Sequence, residues 1–139
     1  MFMDKLLKDR GYKITQARIA ILEILWKSEV PLSVEGVLAL LKKDKKNRGV
    51  NEATVYRTLA LFEESSLVTR VDFRKDAVFF EMDKVHHHHI SCVRCDTVED
   101  FKSSEIENFF DAIVRKSSKF INLKDHSLEL FGVCRFCSK

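Results

Sequence analysis

The chain has 139 residues, enough for one ordinary domain or two small ones sharing an interface. A hydrophobic fraction of 45% with only four Gly and one Pro excludes a disordered chain and points to a compact, helix-rich protein. A net charge of +3 does not by itself establish a nucleic-acid partner, and no apolar run is long enough to span a bilayer.

Met1-Phe2-Met3 is followed at once by Asp4, Lys5, Lys8, Asp9 and Arg10. That is not a signal-peptide opening, so the cytoplasm is the expected compartment and no membrane partner is expected. Asp4 to Arg10 is expected as a short helix closed by Gly11. Thr15 offers a side-chain oxygen to cap a second helix, in which Ile19, Leu22, Leu25 and Trp26 recur at helical spacing. Pro31 ends that run. Ser33 caps the next helix, whose buried face is Val34, Val37, Leu38 and Leu41. Lys42, Lys43, Lys45, Lys46 and Arg48 then crowd together against Asp44 alone. Such a cluster can lie beside phosphates or simply be a solvated loop. Asn51 caps a further helix carrying Val55, Leu59 and Phe62 inward. These helices form a unit of the helix-turn-helix kind.

Beyond Ser65-Ser66 the grammar changes. Leu67 to Phe73 and Val78 to Met82 are rich in β-branched and aromatic residues around the polar turn Arg74-Lys75-Asp76, a hairpin signal. Helix-turn-helix followed by a hairpin is the outline of a winged helix. A domain boundary is placed near residue 84. After it, one strand carries the histidines toward Cys92 and a second covers Thr97 to Phe101. Ser103 or Ser104 caps a helix to about Lys116 with Ile106, Phe109, Phe110 and Ile113 on one face, and Ser127 to Phe131 is the last strand. The whole is an α+β protein, and eleven Phe residues supply both cores and a subunit interface.

The four cysteines form two Cys-x-x-Cys pairs, Cys92 with Cys95 and Cys134 with Cys137. A two-residue gap turns both thiolates of a pair onto one ion, and two pairs complete a closed tetrahedron of the kind structural zinc takes. Disulfides compete, but not in a chain without a secretion signal, and a redox Cys-x-x-Cys would not require a second pair. Four of the histidines are consecutive, His86 to His89. On an extended segment neighbours point to opposite faces, so His86 groups with His88 and His87 with His89, same-face neighbours lying about 6.5–7 Å apart. Two half-sites facing opposite ways are expected. Glu81, Asp100, Glu107 and His126 are the nearby candidates to complete them. Mixed imidazole and carboxylate ligation suits zinc, iron(II) or manganese(II). A solvent-facing strand that takes metal adventitiously is the bland alternative.

Ala53-Thr54-Val55-Tyr56-Arg57-Thr58-Leu59, the histidine run and the two Cys pairs together resemble the ferric uptake regulator family. Tyr12-Lys13-Ile14-Thr15-Gln16-Ala17-Arg18 looks like its N-terminal signature, and the resemblance covers nearly the whole chain. It implies a homodimeric repressor of metal-uptake genes that binds double-stranded operator DNA. Residues 1–83 would form a winged-helix DNA-binding domain, and 84–139 a small α/β dimerisation and metal-binding domain. Tyr56 and Arg57, with Thr54 on the same helix, would meet the major groove; Lys13 would reach the minor groove and Arg18 would lie near phosphate. Without the family, Tyr56 and Arg57 are ordinary exposed helix residues.

The resemblance also implies three metal sites. Structural zinc would take Cys92, Cys95, Cys134 and Cys137. A regulatory Fe2+, Zn2+ or Mn2+ would take Glu81, His87, His89 and Asp100, and an additional site His86, His88, Glu107 and His126. The family usually adds a histidine to the regulatory site where this chain reads Val30-Pro31-Leu32-Ser33, leaving four-coordination or a share for Glu29 or Glu35. Residue 88 is commonly aspartate in iron-type members, four successive histidines are familiar in zinc-type members, and those members often place cysteine where Glu81 stands. Iron-responsive regulation is the preferred reading, with a zinc-responsive member of the same family as its alternative. A zinc-dependent enzyme is the competing class, but neither the His-x-Glu and Pro-Cys-x-x-Cys of deaminases nor a His-Glu-x-x-His helix is present, so no catalytic residue is assigned. A metal-storage protein would leave the helical first half without purpose. No small-molecule ligand beyond metal ions is expected.

Overall fold

Polar side chains set where the helices begin. Thr15, Ser33, Asn51 and Ser103 stand in extended backbone, and each accepts a hydrogen bond from the N–H three residues on. This satisfies a donor that the first helical turn leaves without a partner, an effect worth about 1 kcal/mol per cap. The elements that follow are α2 (Gln16–Lys27), α3 (Val34–Leu41), α4 (Glu52–Glu64) and α5 (Ser104–Arg115). The first helix, α1 (Phe2–Asp9), ends at Gly11, whose φ of 74° lets Gly11 N and Tyr12 N donate back to Lys8 O and Leu7 O at 2.9 Å each.

The structure is a computed structural model and describes residues 2–82 and 86–139. The chain divides into two compact units, Met1–Lys84 and Val85–Lys139. The boundary expected between residues 83 and 84 lies outside the described residues.

In the N-terminal unit one apolar cluster joins all four helices to the sheet. Leu7, Ile21, Leu22, Val37, Leu41, Val55, Leu59 and Phe62 are sealed from solvent, and Leu67, Val68, Phe80 and Met82 close the cluster from below. Val55, Leu59 and Phe62 face inward from α4 as their i, i+4, i+7 spacing requires. On α2 the stripe is rotated from the expected one. Ile21 is fully buried, whereas Trp26 is at the rim, edge-on to Phe2 at 5.1 Å between ring centroids. The bulky indole finds a partner on α1 and leaves the core to Ala20, Ile21, Leu22 and Leu25.

The hairpin forms as β2 (Val68–Val71) and β3 (Phe79–Met82), antiparallel with Val68 opposite Met82 and Val71 opposite Phe79. Arg74 makes its tight turn at φ 58°, its N–H held by Asp72 Oδ1 at 2.7 Å. A two-residue strand, β1 (Leu32–Ser33), pairs with β3 on the other edge, giving the order β1-β3-β2. With α3 and α4 this is a winged helix. The basic stretch after α3 is a run of turns in which Lys46 O accepts from Gln16 Nε2 at 2.9 Å.

The C-terminal unit is a second three-stranded sheet, β4 (His88–Cys92), β5 (Val98–Phe101) and β6 (Glu129–Gly132), in the order β5-β4-β6. β5 runs antiparallel to β4, and β6, reached through α5, runs parallel to it. No residue of α5 is buried, and Phe109 and Ile113 are 65% and 54% exposed. Of the apolar stripe, Ile106 and Phe110 are half-buried while Phe109 and Ile113 stand open, an exposed apolar patch of the kind that marks an interaction surface.

Phe62→Ala should lower the unfolding free energy of the N-terminal unit by about 3–5 kcal/mol, as aromatic truncation in a closed core does. Denaturant unfolding followed by circular dichroism measures it, and a loss below about 1 kcal/mol would mean the core is not centred there.

Candidate metal centres and an exposed helix face

Burial of Val55, Leu59 and Phe62 turns Tyr56 and Arg57 outward on α4, where Tyr56 is 61% exposed. Thr54 is half-buried and its N–H is taken by Asn51 Oδ1 at 2.9 Å. Arg18 Nη1 donates to Lys13 O at 2.7 Å, and its guanidinium lies 5.9 Å from the Tyr12 ring centroid. Tyr12 in turn donates its hydroxyl proton to Leu61 O at 2.9 Å, which ties this segment to α4. Lys13 and Arg18 thus form one basic corner, and Tyr56 and Arg57 an exposed face of one helix.

The four sulfurs of Cys92, Cys95, Cys134 and Cys137 lie within 4.8 Å of one another. Strand pairing brings them there. β4 ends at Cys92, and Val93 N donates to Gly132 O at 2.8 Å, which sets the start of the second pair beside the first. The Cys95 and Cys134 sulfurs are 3.7 Å apart. That is far beyond a disulfide bond and close to the edge, about 3.8 Å, of a tetrahedron with 2.3 Å zinc–sulfur bonds. The electrostatics agree. Backbone N–H groups of Cys134 and then Arg94, each 3.4 Å from Cys92 Sγ, hold that thiol down to about 6. Cys137, first by the Cys134 sulfur beside it and then by desolvation, is pushed up to about 12. Four thiolates do not share this space without a cation among them, so the donor set fits a zinc ion.

On one face of β4, His86, His88, Glu107 and His126 gather. Glu107 comes from the first turn of α5, and the following turn presents Phe110, whose ring packs 4.5 Å from that of His126. Glu107 Oε1 lies 3.0 Å from His86 Nε2 and 2.6 Å from His88 Nε2, while Oε2 lies 3.2 Å from His126 Nε2. His86 and His126 also face each other, Nε2 to Nε2, at 3.1 Å. The His88 imidazole, followed by His86, holds the Glu107 carboxyl below its ordinary range. Three ring nitrogens and a carboxylate aimed at one point fit a divalent ion of the zinc, iron or manganese class.

His87 and His89 face the opposite way, with Nε2 atoms 3.1 Å apart and rings nearly perpendicular. Tetrahedral ligation at 2.0–2.1 Å would need about 3.4 Å, a small adjustment. Asp100 pairs with His89 across β4 and β5 and puts Oδ1 3.6 Å from His89 Nε2. Glu81, expected in the same set, stands on β3 of the N-terminal unit opposite Thr69. One acid on this face had no motif to betray it. Glu129 pairs with His89 across the parallel β4 and β6, and its Oε1 lies 3.0 Å from His89 Nδ1. Only strand register brings residues 89 and 129 together.

The Ferric uptake regulator family model matches residues 9–131 of the chain. The ferric uptake regulation protein of Neisseria gonorrhoeae is 38% identical over 133 residues, 94% of this chain and 90% of that protein. The Helicobacter pylori ferric uptake regulator, whose structure reveals three functional metal binding sites, superposes with a TM-score of 0.85 at 26% identity, covering 99% of this chain and 90% of that one. The ferric uptake regulator from Pseudomonas aeruginosa, solved with manganese, gives a TM-score of 0.81 at 34% identity, with 97% and 99% covered.

Cys134→Ala should abolish retention of zinc through exhaustive dialysis, read by atomic absorption. The C-terminal unit should then lose cooperative unfolding while the N-terminal unit keeps its own. Zinc held at the parent level would dismiss the four-sulfur site.

Proposed function

The chain belongs to the ferric uptake regulator family, and from that premise we propose an iron-responsive repressor in which loading of one histidine face controls the grip on operator DNA. It is a metal-responsive transcriptional repressor of the ferric uptake regulator type, a winged helix followed by a small α/β domain. Its cofactors are a structural zinc ion and a regulatory divalent metal.

The observation that carries the reading is the pair of imidazole nitrogens of His87 and His89, 3.1 Å apart beside Asp100. We assign structural zinc to Cys92, Cys95, Cys134 and Cys137, the additional site to His86, His88, Glu107 and His126, and the regulatory site to His87, His89, Asp100 and Glu81. Glu81 is the next-to-last residue of β3, the last strand of the N-terminal unit, and His87 follows six residues later. A bound divalent ion supplies the positive charge that lets these four donors share one point. Glu81 and the two histidines, so held, restrict the angles the units adopt, and in a homodimer that sets the spacing of the two α4 helices against half-sites about one helical turn apart. Released, the donors let the units sample other angles, and DNA affinity falls with the fraction of competent conformers. Tyr56, Arg57 and Thr54 read the major groove, Lys13 the minor groove, and Arg18 lies near phosphate. The open apolar stripe of α5 with Phe109 and Ile113 supplies the dimer interface. Regulation in the cytoplasm, without catalysis, completes the reading. A zinc-responsive member is the second reading, favoured by four successive imidazoles in place of three and an acid.

His87→Ala combined with His89→Ala should abolish metal-dependent operator binding in a gel shift and leave a folded dimer. Equal affinity of the parent protein with and without Fe2+, measured anaerobically, would remove the switch. Ile113→Asp should weaken dimerisation at least about tenfold, because a buried unpaired carboxylate costs several kcal/mol. Sedimentation equilibrium reads the change, and an unaltered dimer would place the interface elsewhere.

A further inference from the structure

His89 is the most enclosed member of the regulatory set, 2% exposed at the centre of a three-stranded sheet. Its two cross-strand neighbours are acids, Asp100 on β5 and Glu129 on β6. They reach different ring nitrogens. Asp100 Oδ1 is 3.6 Å from Nε2, too long for a hydrogen bond, whereas Glu129 Oε1 is 3.0 Å from Nδ1. A carboxylate only accepts, so the proton of a neutral His89 ring belongs on Nδ1, and the Nε2 lone pair is left facing His87 and Asp100. The rest of the Glu129 side chain argues that it is not there for packing. Oε2 is buried with no hydrogen-bond partner among the described residues, a cost that an apolar side chain at this position would not incur.

We propose that Glu129 is the positioning residue of the regulatory site: it accepts the Nδ1 proton of His89 and fixes the ring as the tautomer that presents Nε2 to a divalent cation. The inference rests on His87, His89 and Asp100 being the regulatory ligands. Acids behind metal-binding imidazoles orient the ring and raise its basicity, and their loss typically weakens metal binding about 10–100-fold. Glu129 acts only through His89, and its effect is confined to this face of β4.

The test uses the full-length dimer in a background with His86→Ala, Glu107→Ala and His126→Ala, with zinc retained on the cysteines, so that the opposite face keeps one imidazole and one histidine face remains for Co2+. Ring nitrogen chemical shifts of the cobalt-free protein should show His89 protonated at Nδ1, and Glu129→Leu should move that proton to Nε2 or mix the two forms. Co2+ affinity should fall about 10–100-fold in Glu129→Leu with no loss of thermal stability. Glu129→Gln, whose amide oxygen still accepts the proton, should keep the tautomer and recover most of the affinity. An Nε2-protonated His89 in the parent, or Glu129→Leu binding Co2+ as tightly as the parent, overturns the proposal. His87→Ala tests the underlying site separately. Unchanged Co2+ affinity there overturns the ligand assignment and the proposal with it, and the failure is distinguishable because the tautomer result would stand.

Discussion

The C-terminal unit buries imidazole, hydroxyl and thiol where the N-terminal unit buries leucine and phenylalanine. Its buried residues among those described are His88, His89, Ser91 and Cys92, all on β4. A polar group taken from water without a partner costs about 1–3 kcal/mol, and a unit below about 70 residues has little apolar burial to set against that. The strand is tolerable only because every one of its faces meets chemistry that answers it. Glu107 answers His88, Glu129 answers His89, and three further sulfurs surround Cys92. Such a unit draws its stability from polar partners and cations more than from an oily interior.

Strand alternation then does the sorting. Because β4 is extended, His86 and His88 share one face and His87 and His89 the other, and each pair meets different acids. The register that places His89 between Asp100 and Glu129 also sets Cys92 opposite Gly132, two residues before Cys134. A slip of one residue would exchange the histidine faces and misplace the sulfurs together. Three donor sets are therefore positioned by one pairing scheme, and none is adjustable without the others.

What the sequence made legible was whatever depends on near neighbours. Thr15, Ser33 and Asn51 begin helices because a short side-chain oxygen reaches an N–H three residues on, a local event. The histidine faces were legible for the same reason, since a two-residue period needs only an extended backbone. Sequence could not show what depends on distant pairing. The two-residue β1 exists only because β3 offers an edge after Pro31. Glu129 looked like an ordinary acid in a final strand, and parallel register alone brings it to His89. The stripe on α5 was legible as apolar, but periodicity does not say whether the covering surface belongs to the same chain. Trp26 misled for a related reason, since its spacing suits the core while its ring packs on Phe2 at the rim.

All five histidines and all four cysteines lie beyond residue 85. The N-terminal unit has a closed apolar core of its own, and the exposure of Tyr56 and Arg57 follows from burial of Val55, Leu59 and Phe62 on the same helix. Thiolate and imidazole donors are thus absent from the unit that carries the outward helix face, and carboxylates are the charged ligands it can lend to a hard or borderline cation. Metal has no way to assemble that helix, which is assembled already. Under the proposed regulatory assignment, its leverage falls instead on the chain that joins the units, through Glu81 on β3 and the histidines that begin the C-terminal unit.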